Sequence, residues 1–334
     1  MKPPHQAVWP QPNLPALPPL LPGTAEVVEE FARVIYGHTP PGGELTTLEL
    51  TAREDGVLDG AADRLHHHAV INCPLGDLEL DTLTHLPPGA SAQHPVPVVV
   101  VLNFSGNDET IDGQQAHRWP YAKVMAAGYA VLTVDYRQIE PDDPNPSAPG
   151  VRSLFLTDPE SWGAVAAWAW GLSRCLDIAA RIPGIDPAGA IALGHSRLGK
   201  AALWAGLQDE RFAVTVSNDS GCCGASLFRH PGGEDIAAIT ERFPHWFVPS
   251  FAKYAGKENE LPVDQHQLLA GLAPRRVYVA SAEDDAWADP LGEYLAVVAA
   301  APAFADDGIG YHVRPGGHDL LEEDWLLALA FAQR

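Results

Sequence analysis

Basic residues are scarce in this chain: 21 Lys and Arg stand against 43 Asp and Glu, a formal charge of -22 over 334 residues. Phosphate backbones and anionic bilayers need clustered cations, so the balance argues against a nucleic-acid or membrane partner. It does not exclude an anionic substrate, because a few Arg and Lys focused in one cleft can reverse the local potential. Cysteine is also sparse. Cys73, Cys175, Cys222 and Cys223 show no metal-ligand spacing, and adjacent Cys222 and Cys223 are too close for an ordinary bridge to each other. Free thiols and no metal site are therefore expected. The first 23 residues lack a cationic start followed by an unbroken apolar run, and no transmembrane span is visible. The chain as given is expected to be cytoplasmic, or periplasmic or secreted if a leader was removed. No internal repeat is apparent.

What is present is ample core material, with 46% hydrophobic residues and 9 Trp. The expectation is a Pro-rich arm over residues 1–23, marked by Pro15, Pro18, Pro19 and Pro22, followed by a single catalytic domain over 24–334. Short alternating segments at 45–51 and 69–73, broken by Asp55, Gly56 and Pro74, read as antiparallel leading strands. From Val96 the pattern changes. Apolar, β-branched runs at 96–104, 130–134, 190–193, 213–216 and 277–280 suit strands covered on both faces. Helical stretches at 161–181, 200–206 and 291–300 intervene, with a last strand at 309–314 and a closing helix at 324–333. Alternating strands and helices predict a three-layer α/β sandwich of the α/β-hydrolase kind, with a mostly parallel central sheet.

Ser196 falls between the strand ending at Leu193 and a helix starting near Leu198, in Gly194-His195-Ser196-Arg197-Leu198-Gly199-Lys200. A parallel sheet carries its functional loops beyond the strand carboxyl ends, so this is where a nucleophile elbow would sit. The glycine spacing is one residue longer than the usual elbow, and the same serine could equally cap the helix. Downstream residues favour the nucleophile. His318 follows the 309–314 strand within a turn containing Gly316 and Gly317, and is the best placed of 14 histidines to act as base. Asp219, after the 213–216 strand, and Asp285, in the acidic group after 277–280, both qualify as the acid that orients it. Arg197 could supply amide and guanidinium to an oxyanion, helped by the loop Asn103 to Asn107, and Lys200 lies one helical turn beyond the serine. Trp246 reads as a core aromatic.

These segments resemble the glucuronoyl esterases, carbohydrate esterase family fifteen, particularly the bacterial members. The similarity runs from about Val96 to the C-terminus, and its most specific stretches are 194–200, 217–221, 243–247, 261–266 and 282–290, the last ending in Trp287, Ala288, Asp289 and Pro290. Fungal members carry a disulfide-bonded Cys before the nucleophile where His195 stands here. The resemblance implies a serine mechanism on esters of 4-O-methyl-glucuronic acid, borne on xylan or derived oligosaccharides, without metal or cofactor. It implies Ser196 as nucleophile, His318 as base, and Asp219 on the usual acid position, slightly ahead of Asp285 on an alternative one. Lys200, Glu234 and Trp287 would contact uronate hydroxyls. Two other readings stand beside it: an acetyl or broader carboxylesterase using the same triad, and a carbohydrate-binding protein without catalysis.

Overall fold

A computed structural model describes residues 13–145, 149–305 and 307–334. Nine strands form one sheet in the order β1-β2-β3-β5-β4-β6-β7-β8-β9. They are β1 Glu44–Gly56, β2 Ala62–Cys73, β3 Gly76–Leu86, β4 Val96–Asn103, β5 Ala130–Asp135, β6 Ile185–His195, β7 Val214–Asn218, β8 Arg276–Ala282 and β9 Ile309–Arg314. The first three pair antiparallel, and β3 joins β5 antiparallel. Every later pairing is parallel. The expected parallel sheet with antiparallel leading strands is therefore present.

The central strands are mostly apolar and buried because helices cover both faces. Val98, Val100 and Leu102 of β4 pack in one core cluster with residues of α1 Thr24–Phe31, α3 Ala164–Ala179, α4 Arg197–Gln208 and α7 Pro290–Ala300. Val99 and Val101, pointing the other way, pack in a second cluster with α2 Tyr121–Ala126 and the closing helix α8 Glu322–Ala332. The strand period of two thus divides one valine run between two cores. Two shorter helices, α5 Ile236–Arg242 and α6 Gln265–Ala270, lie along the chain between β7 and β8. Among the described residues no helix is long and apolar enough to cross a membrane.

The Pro-rich arm is described from residue 13, the first twelve residues lying outside the described ones. It runs extended, and the carbonyl of Pro18 accepts a hydrogen bond of 2.9 Å from His266 Nε2 on α6. All four cysteines are free and buried, and the Cys222 and Cys223 sulfurs stand 3.9 Å apart. Of the three consecutive histidines, His66 and His68 pair with the acids Glu54 and Asp81, while His67 is buried.

Candidate active site

The chain folds tightly between β6 and α4. A β-carbon on Gly194 would lie 2.0 Å from the Leu198 carbonyl oxygen, so only glycine allows the helix to start so close to the strand. Ser196 takes φ 57° and ψ -129°, a conformation that costs a residue with a side chain about 1–3 kcal/mol. Its amide donates to the Asn218 carbonyl on the neighbouring strand at 2.9 Å. Strain at one residue points its hydroxyl out of the sheet end, at the first turn of α4. The Gly199 and Lys200 amides turn back to the Ser196 carbonyl at 2.9 and 3.3 Å, and the helix N-terminus favours negative charge.

His318 Nε2 lies 2.9 Å from Ser196 Oγ, and Nδ1 lies 2.5 Å from Asp285 Oδ2. With Nδ1–H donated to that buried carboxylate, Nε2 is left to accept the serine proton. The turn that carries His318 is held by Arg314, which donates to the carbonyls of Pro315, Gly317 and Asp319 and to Asp324 Oδ2. The Asp285 loop is laced to the same turn: Glu283 and Asp284 donate their amides to the carbonyls of Arg314 and Gly316.

The expectation that put Asp219 ahead is corrected by this geometry. Asp219, Asp285 and His318 place one polar atom each within 4.8 Å of one another, yet Asp219 Oδ2 accepts from the Asp319 amide at 3.4 Å and from Arg314 at 3.5 Å. Its Oδ1 is buried without a partner among the described residues. Burial, together with the negative charges of Glu293 and Asp285, pushes its carboxyl up to about 9 against an opposing pull from Arg314. Asp219 thus lies behind His318 with its carboxyl pushed toward the neutral form, while the position beside the imidazole is filled by Asp285.

Two other predicted residues are held by contacts that their spacing does not show. Lys200 is buried, and its ammonium donates to the carbonyls of Ser220 and Cys222 at 2.5 and 2.6 Å. It staples the loop after β7, with one donor left. The Arg197 guanidinium is likewise not free. It donates to Asp142 and lies over the Trp246 ring, 4.9 Å from the centroid, and over Phe243 at 5.4 Å. Trp246 is buried as expected, but its upper face serves this stacking. The loop after β4 ties to itself: the Gly106 amide donates to Asn103 Oδ1 at 2.8 Å, and Phe104 meets the His195 ring edge-on.

Glu234 and Trp287 are brought together, the Glu234 amide donating to the Trp287 carbonyl at 2.9 Å. Burial raises the Glu234 carboxyl, with Lys200 opposing. Trp287 is 51% exposed, an indole standing in solvent at the cleft. Three residues were missed at the sequence level. Arg314 is one, and Asp142 is another. The third is Glu293, fully buried, which receives the Ser220 and Gly221 amides at 2.9 Å and the Ser281 hydroxyl. Burial pushes Glu293 up to about 7 although those donors pull it down. A charged residue inside the otherwise apolar 291–300 helix was its one visible signal.

The fungal glucuronyl esterase family model matches residues 79–308 of this chain. Carbohydrate esterase MZ0003, from an unknown prokaryotic organism, is 38% identical across 92% of this chain and 83% of its own. A solved glucuronoyl esterase from Solibacter usitatus is 36% identical, superposes with a TM-score of 0.83, and is matched over 93% of this chain and 91% of its own. The 4-O-methyl-glucuronoyl methylesterase 1 of Sodiomyces alcalophilus is 36% identical over 42% of this chain, which is 30% of that protein.

Proposed function

The chain belongs to the glucuronoyl esterase family, carbohydrate esterase family 15, and from that premise we propose that it cleaves esters of 4-O-methyl-glucuronic acid through a Ser196-His318-Asp285 relay. It is a carboxylic ester hydrolase acting on a small-molecule ester. The observation that carries the mechanism is the unbroken chain of hydrogen bonds from Ser196 Oγ through both nitrogens of His318 to Asp285. Ser196 attacks the ester carbonyl as His318 takes its proton. The tetrahedral oxyanion forms at the N-terminus of α4, where the Arg197 amide is the first donor and the guanidinium pinned by Asp142 supplies a fixed positive charge. One such donor contributes roughly 3 kcal/mol to a transition state of this kind.

His318 then returns the proton to the departing alcohol, and water hydrolyses the acyl-enzyme by the same relay in reverse. Asp285 holds the imidazole in the productive tautomer and stabilises imidazolium. Glu234 and Trp287 take the uronate hydroxyls, the indole N–H donating and the carboxylate accepting, while Lys200 fixes the loop on which they converge. Residues 24–334 act as one catalytic domain, on glucuronate esters of xylan or of oligosaccharides derived from it.

The test compares benzyl glucuronate with para-nitrophenyl acetate and acetylated xylose for the wild type and Ser196→Ala. Turnover of the glucuronate ester with the higher kcat/KM, abolished by the substitution, is the expected result. A clear preference for the acetates would instead make the chain a general carboxylesterase on the same fold.

A further inference from the structure

A cavity of about 400 Å³ opens beside Glu234, with Cys222, Phe228, His230, Asp235 and Glu258 also on its walls. Neither Ser196 nor His318 lines it. It thus shares Glu234 with the place proposed for the sugar ring and takes no wall from the residues at the bond that is cleaved. Its size is that of a site for a small ligand.

One wall side chain is held unlike the others. His230 Nδ1 lies 2.8 Å from Asp289 Oδ2, and Asp289 is buried. The same carboxylate accepts the Ser226 hydroxyl at 2.8 Å and the Gly292 amide at 3.0 Å, so it is fixed from three directions. Asp289 itself sits at φ 58°, and a β-carbon on Gly232 would lie 2.5 Å from its Oδ1 and 2.9 Å from His230 Nδ1. Glycine at 232 is what lets the chain pass so close over the pair. With Nδ1–H donated to Asp289, Nε2 is the ring nitrogen left to meet a ligand, and among the described residues it has no hydrogen-bond partner. The His230 side chain keeps 20% of its surface open.

The walls also define the charge of the occupant. Glu234, Asp235 and Glu258 repel an anion, and the arginine on the lining, Arg229, is spent on Asp264 and on the carbonyls of Val263 and Leu261. A neutral, hydroxyl-rich ring that can lie against Leu227 and Phe228 and donate to an acceptor fits this lining.

Building on the glucuronate reading above, we infer that this cavity seats the neutral sugar unit to which the glucuronate is glycosidically attached. His230, oriented by Asp289, accepts a hydrogen bond from one of its hydroxyls. The residue thereby makes the enzyme read the oligosaccharide and not the uronate alone.

The experiment uses two benzyl esters, one of free glucuronic acid and one of glucuronic acid linked to a xylose trisaccharide. Wild type should favour the second by roughly tenfold in kcat/KM, the worth of one well-made hydrogen bond with its contacts, expressed mostly in KM. His230→Ala should erase that preference while leaving the monosaccharide ester within twofold of wild type. His230→Gln, whose amide can set an acceptor at the height of Nε2, should recover part of it and guards against a misfolded alanine variant. Equal kcat/KM on both esters in the wild type would overturn the inference, as would an equal loss on both in both variants, the signature of a purely structural histidine. Wild type inactive on both esters yet active on para-nitrophenyl acetate would instead remove the glucuronate reading beneath it.

Discussion

His318 Nδ1 lies 2.5 Å from Asp285 Oδ2, and that ring makes no hydrogen bond to Asp219, although both acids follow adjacent parallel strands. The distance assigns them different work. An amide at 285 would present N–H to Nδ1 and force the wrong tautomer on the base. Asp285→Asn should therefore lower kcat on a glucuronate ester by roughly 10³- to 10⁴-fold with KM little changed. Asp219→Asn should cost less than about tenfold, since an amide imitates the neutral acid already there. Steady-state kinetics of the two variants and their double decide it, and the opposite ranking would return the orienting role to Asp219.

The neutral state of Asp219 also sets a pH dependence of stability. The folded chain keeps this proton to about pH 9, whereas an unfolded aspartate releases it near 3.8. Between those values the folded state binds more protons at this group than the unfolded one, so its contribution to stability is full below about pH 4 and is lost as pH rises towards 9. Asn at 219 never ionises and escapes that loss. In urea titrations the variant should match wild type near pH 4 and exceed it near pH 9 by at least about 1.4 kcal/mol, the equivalent of one unit of proton affinity. A constant difference at both pH values would mean that Asp219 is ionised in the fold.

Much of this site could be read from the chain, for identifiable reasons. Ser196 follows a strand whose end is apolar because it is covered on both faces, His318 follows the half-buried edge strand β9, and each has glycines where the backbone must turn sharply. Those features are local. The choice between Asp219 and Asp285 is not, since it depends on Arg314 and Glu293 drawing the loops after β7, β8 and β9 into one arrangement. The setting of Lys200 is hidden for the same reason. Its spacing from Ser196 is visible in the sequence, but the Ser220 and Cys222 carbonyls that capture its ammonium are not. The four helices read from the sequence, α3, α4, α7 and α8, and the later strands were placed within a few residues of their observed ends, whereas the shorter α1, α2, α5 and α6 were not foreseen, and the position of β5 between β3 and β4 rests on a crossover that no periodicity records.

The backbone at Ser196 gives a test that separates strain from chemistry. Ser196→Ala and Ser196→Gly both remove the hydroxyl and should both be inactive. They differ in the β-carbon held at φ 57°. In ordinary strand or helix positions glycine is the less stable by about 0.5–1 kcal/mol, but here the glycine variant should be the more stable by about 1 kcal/mol. Thermal or urea unfolding of the pair measures this directly. An alanine variant equal to or above the glycine variant would show that the elbow stores no strain at this residue.

Asp142 lies at the centre of the contacts that position Arg197. One carboxylate receives the Arg197 guanidinium, His245 Nε2 at 2.8 Å and Trp246 Nε1 at 2.7 Å. Burial alone would raise its carboxyl, but the donors from His245 and Trp246 and the charge of Arg197 prevail and hold it at about 2. It is therefore ionised wherever the enzyme works and contributes nothing to an acid limb above about pH 4. Asn at 142 keeps an oxygen for the indole and the imidazole while removing the charge that fixes the guanidinium. Losing a preorganised cation beside a developing oxyanion should lower kcat by about tenfold. KM should move less, because the ground-state ester carbonyl carries no full charge to be stabilised. The pH–rate profile should fall as a whole without shifting along the pH axis. A changed midpoint of its acid limb would mean that Asp142 tunes the base, and an unchanged kcat would show that the Arg197 charge has no part in the transition state.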